Sequence, residues 1–297
     1  MHSSSFHSAW VALSAVALVS MAATCSSTES SEGTTTSSSS SAGASAGGSA
    51  GHAEGGATTS TGVGGAGVGG SGGGGAAPLV ELNVWLIGDS TVATGSGWGD
   101  FLQPLLDAKA TVINRARSGE STMSFYEAAA DNLWSGADNG VIPHLGPGDY
   151  VLIQFGHNDE HDDPEHHTDP GAPPDYQGTF RQYLELYVDE TRAAGGTPIL
   201  VTPVCRMWFN ADGSHIRDHG DYPAAMIKTA EDKGVVLLDL EAYSHGAFEG
   251  LGEADTLALF SDGTDRTHFP PDKAWRVAEF VAALLESSSS PLAAYVL

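Results

Sequence analysis

The chain has 297 residues, with 37 acidic side chains against 12 basic ones, a net charge of −25 and two cysteines. So negative a surface repels phosphate backbones and gains nothing from counterion release, which argues against nucleic acid as a partner. Cysteines at positions 25 and 205 alone cannot supply a disulfide framework, so the fold must rest on its core.

Residues 1–25 begin with a polar stretch, pass through an uncharged apolar run from Ala9 to Ala23 and end in small residues before Cys25. As a helix, that run of about 15 residues would span about 23 Å, short of a hydrocarbon core of roughly 30 Å. An export signal is therefore expected rather than a membrane span. The run ending at Cys25 resembles a bacterial lipoprotein signal, which implies a lipid anchor on Cys25 at the cell envelope. Ordinary cleavage and secretion is the alternative, because no Lys or Arg precedes the run, and Ala22 and Thr24 depart from that pattern.

Residues 26–78 are almost entirely Ser, Gly, Thr and Ala. Such a stretch has nothing to bury against a backbone ordering cost of roughly 1 to 2 kcal/mol per residue, and is expected to be a disordered tether. Residues 79–297 then form the single folded domain. Glu29, Glu32 and Glu54 precede it and every Lys and Arg lies within it, so 34 acidic against 12 basic side chains leave it at −22.

Five apolar runs follow in this domain: Leu82 to Ile87, Ala110 to Ile113, Tyr150 to Phe155, Pro198 to Val201 and Val235 to Leu240. Short continuous runs of Val, Ile and Leu suit strands covered on both faces. Helical spacing is read in Gly99 to Ala108, Thr179 to Ala194, Tyr222 to Lys233 and Asp272 to Glu286. In the second of these, Phe180, Tyr183, Leu184, Tyr187 and Val188 share one face. Alternating strands and helices predict an α/β doubly wound domain, a three-layer sandwich in which ligands sit beyond the carboxyl ends of the strands.

Chemistry is therefore sought just past each strand. Gly88-Asp89-Ser90-Thr91 follows the first, Ser118-Gly119 the second, Gly156-His157-Asn158-Asp159 the third and Cys205-Arg206 the fourth; Asp265-Arg266-Thr267-His268 precedes the last helix. Each is weak alone: Asp and Ser after a strand commonly make turns, Gly119 reads as a turn glycine and Asn158 as an Asx turn. Matches to G-x-S-x-G around Ser45, Ser49 and Ser71 lie in the tether, with no strand before them. Together, a hydroxyl, donors and an Asp/His pair at one sheet edge make up the parts needed for acyl transfer: nucleophile, base, orienter and oxyanion donors.

In order and in kind, Gly88-Asp89-Ser90, Gly119, Gly156-His157-Asn158-Asp159 and Asp265-x-x-His268 resemble the SGNH (GDSL-like) hydrolase superfamily. The longer strings NRARSGESTMSF, PGDYVLIQFGHNDE and DRTHF resemble its rhamnogalacturonan acetylesterases. The resemblance implies a flavodoxin-like fold with five parallel strands, and a serine esterase removing acetyl groups from plant cell-wall polysaccharide. It implies Ser90 as nucleophile, His268 as general base, Asp265 as its orienter, and an oxyanion hole from the N–H groups of Ser90 and Gly119 with the Asn158 amide. His157 and Arg206 are read as substrate contacts, and Asp262 is a second acidic candidate. No metal or cofactor is expected.

Glu120 and Met207 stand where many relatives carry basic residues, which suits an acidic polymer less well. Acetylxylan, another neutral glycan or a small ester stays open as substrate, and a non-catalytic carbohydrate-binding lipoprotein is the rival from another class. Among the remaining residues, His161, His166 and His167 match no zinc spacing and read as a solvated loop facing the substrate. Cys205 reads as a small buried hydrophobe, and Trp98 as a packing residue.

Overall fold

The computed structural model describes residues 78–128 and 132–297. The export-signal and tether readings, with the G-x-S-x-G matches, lie outside these. Strands β1 (Leu82–Gly88), β2 (Ala110–Asn114), β3 (Tyr150–Gln154), β4 (Thr197–Val201) and β5 (Val236–Leu238) form one sheet in the order β2-β1-β3-β4-β5. Every pairing is parallel.

Alternation along β1 shows why the sheet is covered twice. Val84 and Leu86 face a core completed by the helices α4 (Leu240–Phe260) and α5 (Trp275–Ser287), through Phe248, Phe260, Val277, Val281 and Leu285. Trp85 and Ile87 face the opposite core, filled from α1 (Thr122–Glu127), α2 (Thr179–Ala193) and α3 (Tyr222–Lys233) by Phe125, Leu184, Tyr187 and Met226. Successive strand residues point to opposite faces, so one strand feeds both layers. Each leucine-sized side chain buried there contributes roughly 1.5–3 kcal/mol.

The expected strands all form, as do the expected helices α2, α3 and α5, the last beginning at Trp275 after a turn that uses Pro270-Pro271. The helix expected over Gly99 to Ala108 is instead two short 3₁₀ turns, Gly99–Phe101 and Gln103–Leu105. Pro104 lacks the N–H that a continuous helix would need there, and Gln103 turns its side chain back to the N–H of Val112 and the carbonyl of Ala110. Helices α1 and α4 have no counterpart among the expected elements. Helix α4 is broken at Gly252 (φ 75°), a conformation that costs glycine little. Among the described residues no helix is long and apolar enough to cross a membrane.

Candidate active site

Parallel pairing brings the ends of β1, β2 and β3 to one edge, where an open cleft of about 550 Å³ is lined by Ser90, Ser96, Ser118, Gly119, Asn158, Asp265 and His268. Ser90 stands two residues past Gly88, in a turn whose Val92 and Ala93 N–H groups donate to the Asp89 carbonyl. Ser96 closes that turn by donating its hydroxyl to the Ser90 carbonyl (2.8 Å).

The loop before α5 supplies the other partners. His268 Nε2 lies 2.9 Å from Ser90 Oγ, and His268 Nδ1 lies 2.8 Å from Asp265 Oδ2. Asp265 Oδ1 also accepts the backbone N–H groups of Thr267 and His268, at 2.7 and 2.9 Å. Partial burial pushes the Asp265 carboxyl up, but these bonds and the imidazole outweigh it and hold the group below its ordinary range. An ionised carboxylate only accepts, so His268 Nδ1 carries the proton and Nε2 offers its lone pair to the serine hydroxyl. Asp262 serves a different purpose: it accepts the N–H and hydroxyl of Thr264 and the N–H of Asp265. Those bonds bring its carboxyl down to about 2 and shape the loop that presents Asp265.

On the opposite wall, Gly119 adopts φ 89° with open space where a side chain would project. Asn158 reaches the same wall, donating one amide hydrogen to the Glu120 carbonyl at 2.9 Å, with a second hydrogen on the same nitrogen. Its neighbour Asp159 is buried and accepts the Thr122 N–H and the hydroxyls of Thr122 and Thr168, tying the start of α1 to the loop after β3. Burial pushes its carboxyl up to about 7, the hydroxyl and N–H donors offsetting only part of the rise.

Two expected substrate contacts are corrected. His157 is buried, away from the cleft lining, with Nδ1 3.1 Å from Asp89 Oδ2. Arg206 is held by Glu160 and Asp218 and donates to the His157 carbonyl at 3.3 Å. Its charge is spent inside the protein, so it supports the loop after β3 and has none left for a ligand. Met207 is buried as well.

Trp98 is buried as expected and donates to Gln154 Oε1 (2.9 Å); Gln154 donates to Thr91 Oγ1 (2.6 Å), and the Thr91 hydroxyl donates to Asp89 Oδ1 (2.7 Å). This polar chain beneath the serine turn was not anticipated. Only the register of β1 against β3, which sets Gly88 beside Gln154, brings these residues together. Ser118 stands in the segment read past the second strand, while nothing in the residue string marks Ser96.

Cys205 is buried against Glu241 and Ser244, and burial pushes its thiol well up, leaving it no nucleophile. His166 bonds Asp163 and His167 the His161 carbonyl, both within their own loop.

The family model for the GDSL-like lipase/acylhydrolase family matches residues 86–272. A probable rhamnogalacturonan acetylesterase of Bacillus subtilis, YesY, is 34% identical over 220 residues, covering 71% of this chain and 95% of its own length. RhgT, a rhamnogalacturonan acetylesterase of the same organism, is 34% identical over 230 residues, covering 71% of this chain and 92% of its own. The crystal structure of Bacillus subtilis YxiM superposes with a TM-score of 0.57 at 26% identity, over 70% of this chain and 57% of that one.

Proposed function

The chain belongs to the GDSL-like lipase/acylhydrolase family, and we propose that it is a serine acetylesterase that removes acetyl groups from plant cell-wall polysaccharide, rhamnogalacturonan foremost. The observation that carries this reading is the continuous chain Ser90–His268–Asp265, with contacts of 2.9 and 2.8 Å, facing an open cleft of about 550 Å³.

Ser90 Oγ attacks the acetyl carbonyl while His268 Nε2 takes the hydroxyl proton and Asp265 stabilises the imidazolium. The carbonyl oxygen becomes an oxyanion facing the N–H groups of Ser90 and Gly119 and the Asn158 amide. Collapse breaks the bond to the sugar oxygen, which leaves with the proton from His268. Water, deprotonated by the same imidazole, then attacks the acetyl-serine, and acetate departs as Ser90 regains its proton.

The curated names of the two Bacillus relatives support the polymer. We read residues 1–25 as an export signal, with either a lipid anchor at Cys25 or release by cleavage, and 26–78 as a tether. On that reading the domain works outside the cytoplasm, where such polymers are found. Acetate release from acetylated rhamnogalacturonan, acetylxylan and a short aryl acetate, by wild type and Ser90→Ala, tests the reading. The acidic polymer is expected to be the best substrate, with release abolished in the variant. Preference for acetylxylan would move the substrate to a neutral glycan, and sugar binding without acetate release from any ester would leave a binding protein.

A further inference from the structure

We propose that a second pocket, at the carboxyl end of β2 beside the cleft, binds a carboxylate of the glycan, that of a uronate near the acetyl group under attack. This rests on the polysaccharide reading above.

Beyond Asn114 the chain stays extended. The Arg115 N–H donates to the Leu86 carbonyl (2.8 Å) and the Arg117 N–H to the Gly88 carbonyl (3.0 Å), prolonging the ladder along β1. Residues two apart in such a ladder share a face, so Arg115 and Arg117 stand side by side. They line a pocket of about 330 Å³ with Asn114, Ala116, Leu133 and Asn139. The next two residues, Ser118 and Gly119, already line the cleft. A glycan seated over Ser90 therefore has the two arginines within reach of its flanking sugars.

Unmet hydrogen-bonding capacity singles this pocket out. Arg115 Nε and Trp85 Nε1 are buried and donate to nothing among the described residues, and the Arg115 guanidinium carbon lies 5.9 Å from the Trp85 ring centroid. A buried donor without an acceptor costs about 1–3 kcal/mol, and of these two residues Arg115 lines the pocket, so its guanidinium is the group that an arriving acceptor meets. Elsewhere Arg181 meets Glu185 and Asp232, Arg206 meets Glu160 and Asp218, Arg217 meets Glu241 and Arg266 meets Glu253, while Arg192, without an ion pair among the described residues, donates to the Lys233 and Gly234 carbonyls and Arg276, also without one, lies over the Trp275 ring. Arg115 forms no ion pair among the described residues, although the domain carries 34 carboxylates. A guanidinium presents paired N–H groups that match a carboxylate. Glu120, 3.7 Å from Arg117, already shares that cation and repels a second anion, which makes Arg115 the anchor.

The test measures aryl-acetate hydrolysis inhibited by unacetylated oligogalacturonate, by neutral xylo-oligosaccharide and by acetate, which carries the same carboxylate without the sugar. Each inhibition constant is taken relative to the same variant's uninhibited rate. The expected result is inhibition of wild type by oligogalacturonate well below the concentrations of the other two, with an inhibition constant roughly 10-fold higher in Arg115→Gln, the loss of one charge-assisted contact. An unchanged constant in that variant, or equal inhibition by the neutral oligosaccharide, overturns the proposal. Inhibition by acetate at equal concentration that weakens in Arg115→Gln assigns the pocket to the free acid and overturns it too. Should Arg115→Gln not fold, Arg115→Lys keeps the charge without the fork and is expected to raise the constant severalfold; no change overturns the proposal. If wild type hydrolyses no ester, the esterase reading fails by itself. Calorimetric titration of oligogalacturonate into wild type and Arg115→Gln then decides the pocket: tighter binding by wild type supports it, and equal or absent binding overturns it.

Discussion

Two aspartate–histidine pairs meet the Ser90 segment, alike in chemistry and opposite in setting. Asp265 and His268 come from one loop, three residues apart, with Oδ2 and Nδ1 at 2.8 Å and both side chains 43% exposed. Asp89 and His157 come from the ends of adjacent strands, β1 and β3, at 3.1 Å with side chains 0% and 3% exposed. The first pair hands its free nitrogen to Ser90 Oγ. The second leaves His157 Nε2 without a partner among the described residues. Burial pulls the His157 imidazole down, the Asp89 carboxylate only partly opposing it, so that ring stays neutral and donates Nδ1–H. On Asp89, burial pushes upward, but His157 and the Thr91 bonds outweigh it and keep the carboxylate ionised. Solvent access separates the roles: a base must gain and lose a proton each cycle, while a buried donor must hold its own.

Breaking the exposed pair gives the largest expected effect. His268→Ala should lower kcat on an aryl acetate by on the order of 10⁴- to 10⁶-fold, because triad members act as a unit. Its unfolding free energy should stay within about 0.5 kcal/mol of wild type, as for most exposed substitutions. Near-wild-type turnover, with the fold intact by circular dichroism, would remove the pair from the mechanism.

Asn158 sharpens the contrast because it is the neighbour of His157 in the chain yet lines the cleft. Asn158→Ala should cost on the order of 10² to 10³ in kcat with little change in KM, the signature of a contact made in the transition state. A rise in KM at constant kcat would make it a ground-state substrate contact and move the oxyanion role to the backbone alone.

The residue string went far toward the exposed pair and not toward the buried one. Asp265-x-x-His268 is local, and a three-residue spacing suffices to bring carboxylate and imidazole together on a turn. Asp89 and His157 are 68 residues apart, and only the pairing of β1 with β3 brings them together. Without that pairing, His157 read as a ligand contact, since a polar residue past a strand is expected to face the cleft. Arg206 misled for the same reason, its partners Glu160 and Asp218 arriving from two loops. Strands were legible because five continuous apolar runs can be buried only in a doubly covered sheet. Helix α1 was not, because its six residues are too few for a period and its start is set by Asp159 and the Ser121–Ser124 capping box, a tertiary and a local device.

The smallest effect expected is on stability and its pH dependence. His157→Ala removes the imidazole donor to a buried carboxylate and should lower the unfolding free energy by about 2–4 kcal/mol, while leaving far more activity than His268→Ala. The sign of the pH dependence follows from the depressed imidazole. As pH falls below about 6.5, the unfolded chain takes up a proton at this histidine that the native state refuses, so wild-type stability declines by up to about 1.4 kcal/mol per pH unit from this group. Asp89, also depressed, adds a loss of the same sign only below about pH 4. His215, pulled down by burial as well, contributes in the same direction, whereas Asp159, pushed up to about 7, gains its proton first in the native state and contributes with the opposite sign over this range; both remain in the variant. In urea unfolding at pH 7, 6 and 5, the stability difference between wild type and His157→Ala should therefore narrow as pH falls. Parallel slopes would mean that His157 takes up its proton as readily in the native state as in the unfolded chain, and a difference that widens as pH falls would mean that it is charged in the native state. The buried pair would then be an ion pair, and the distinction drawn here between the two pairs would be lost.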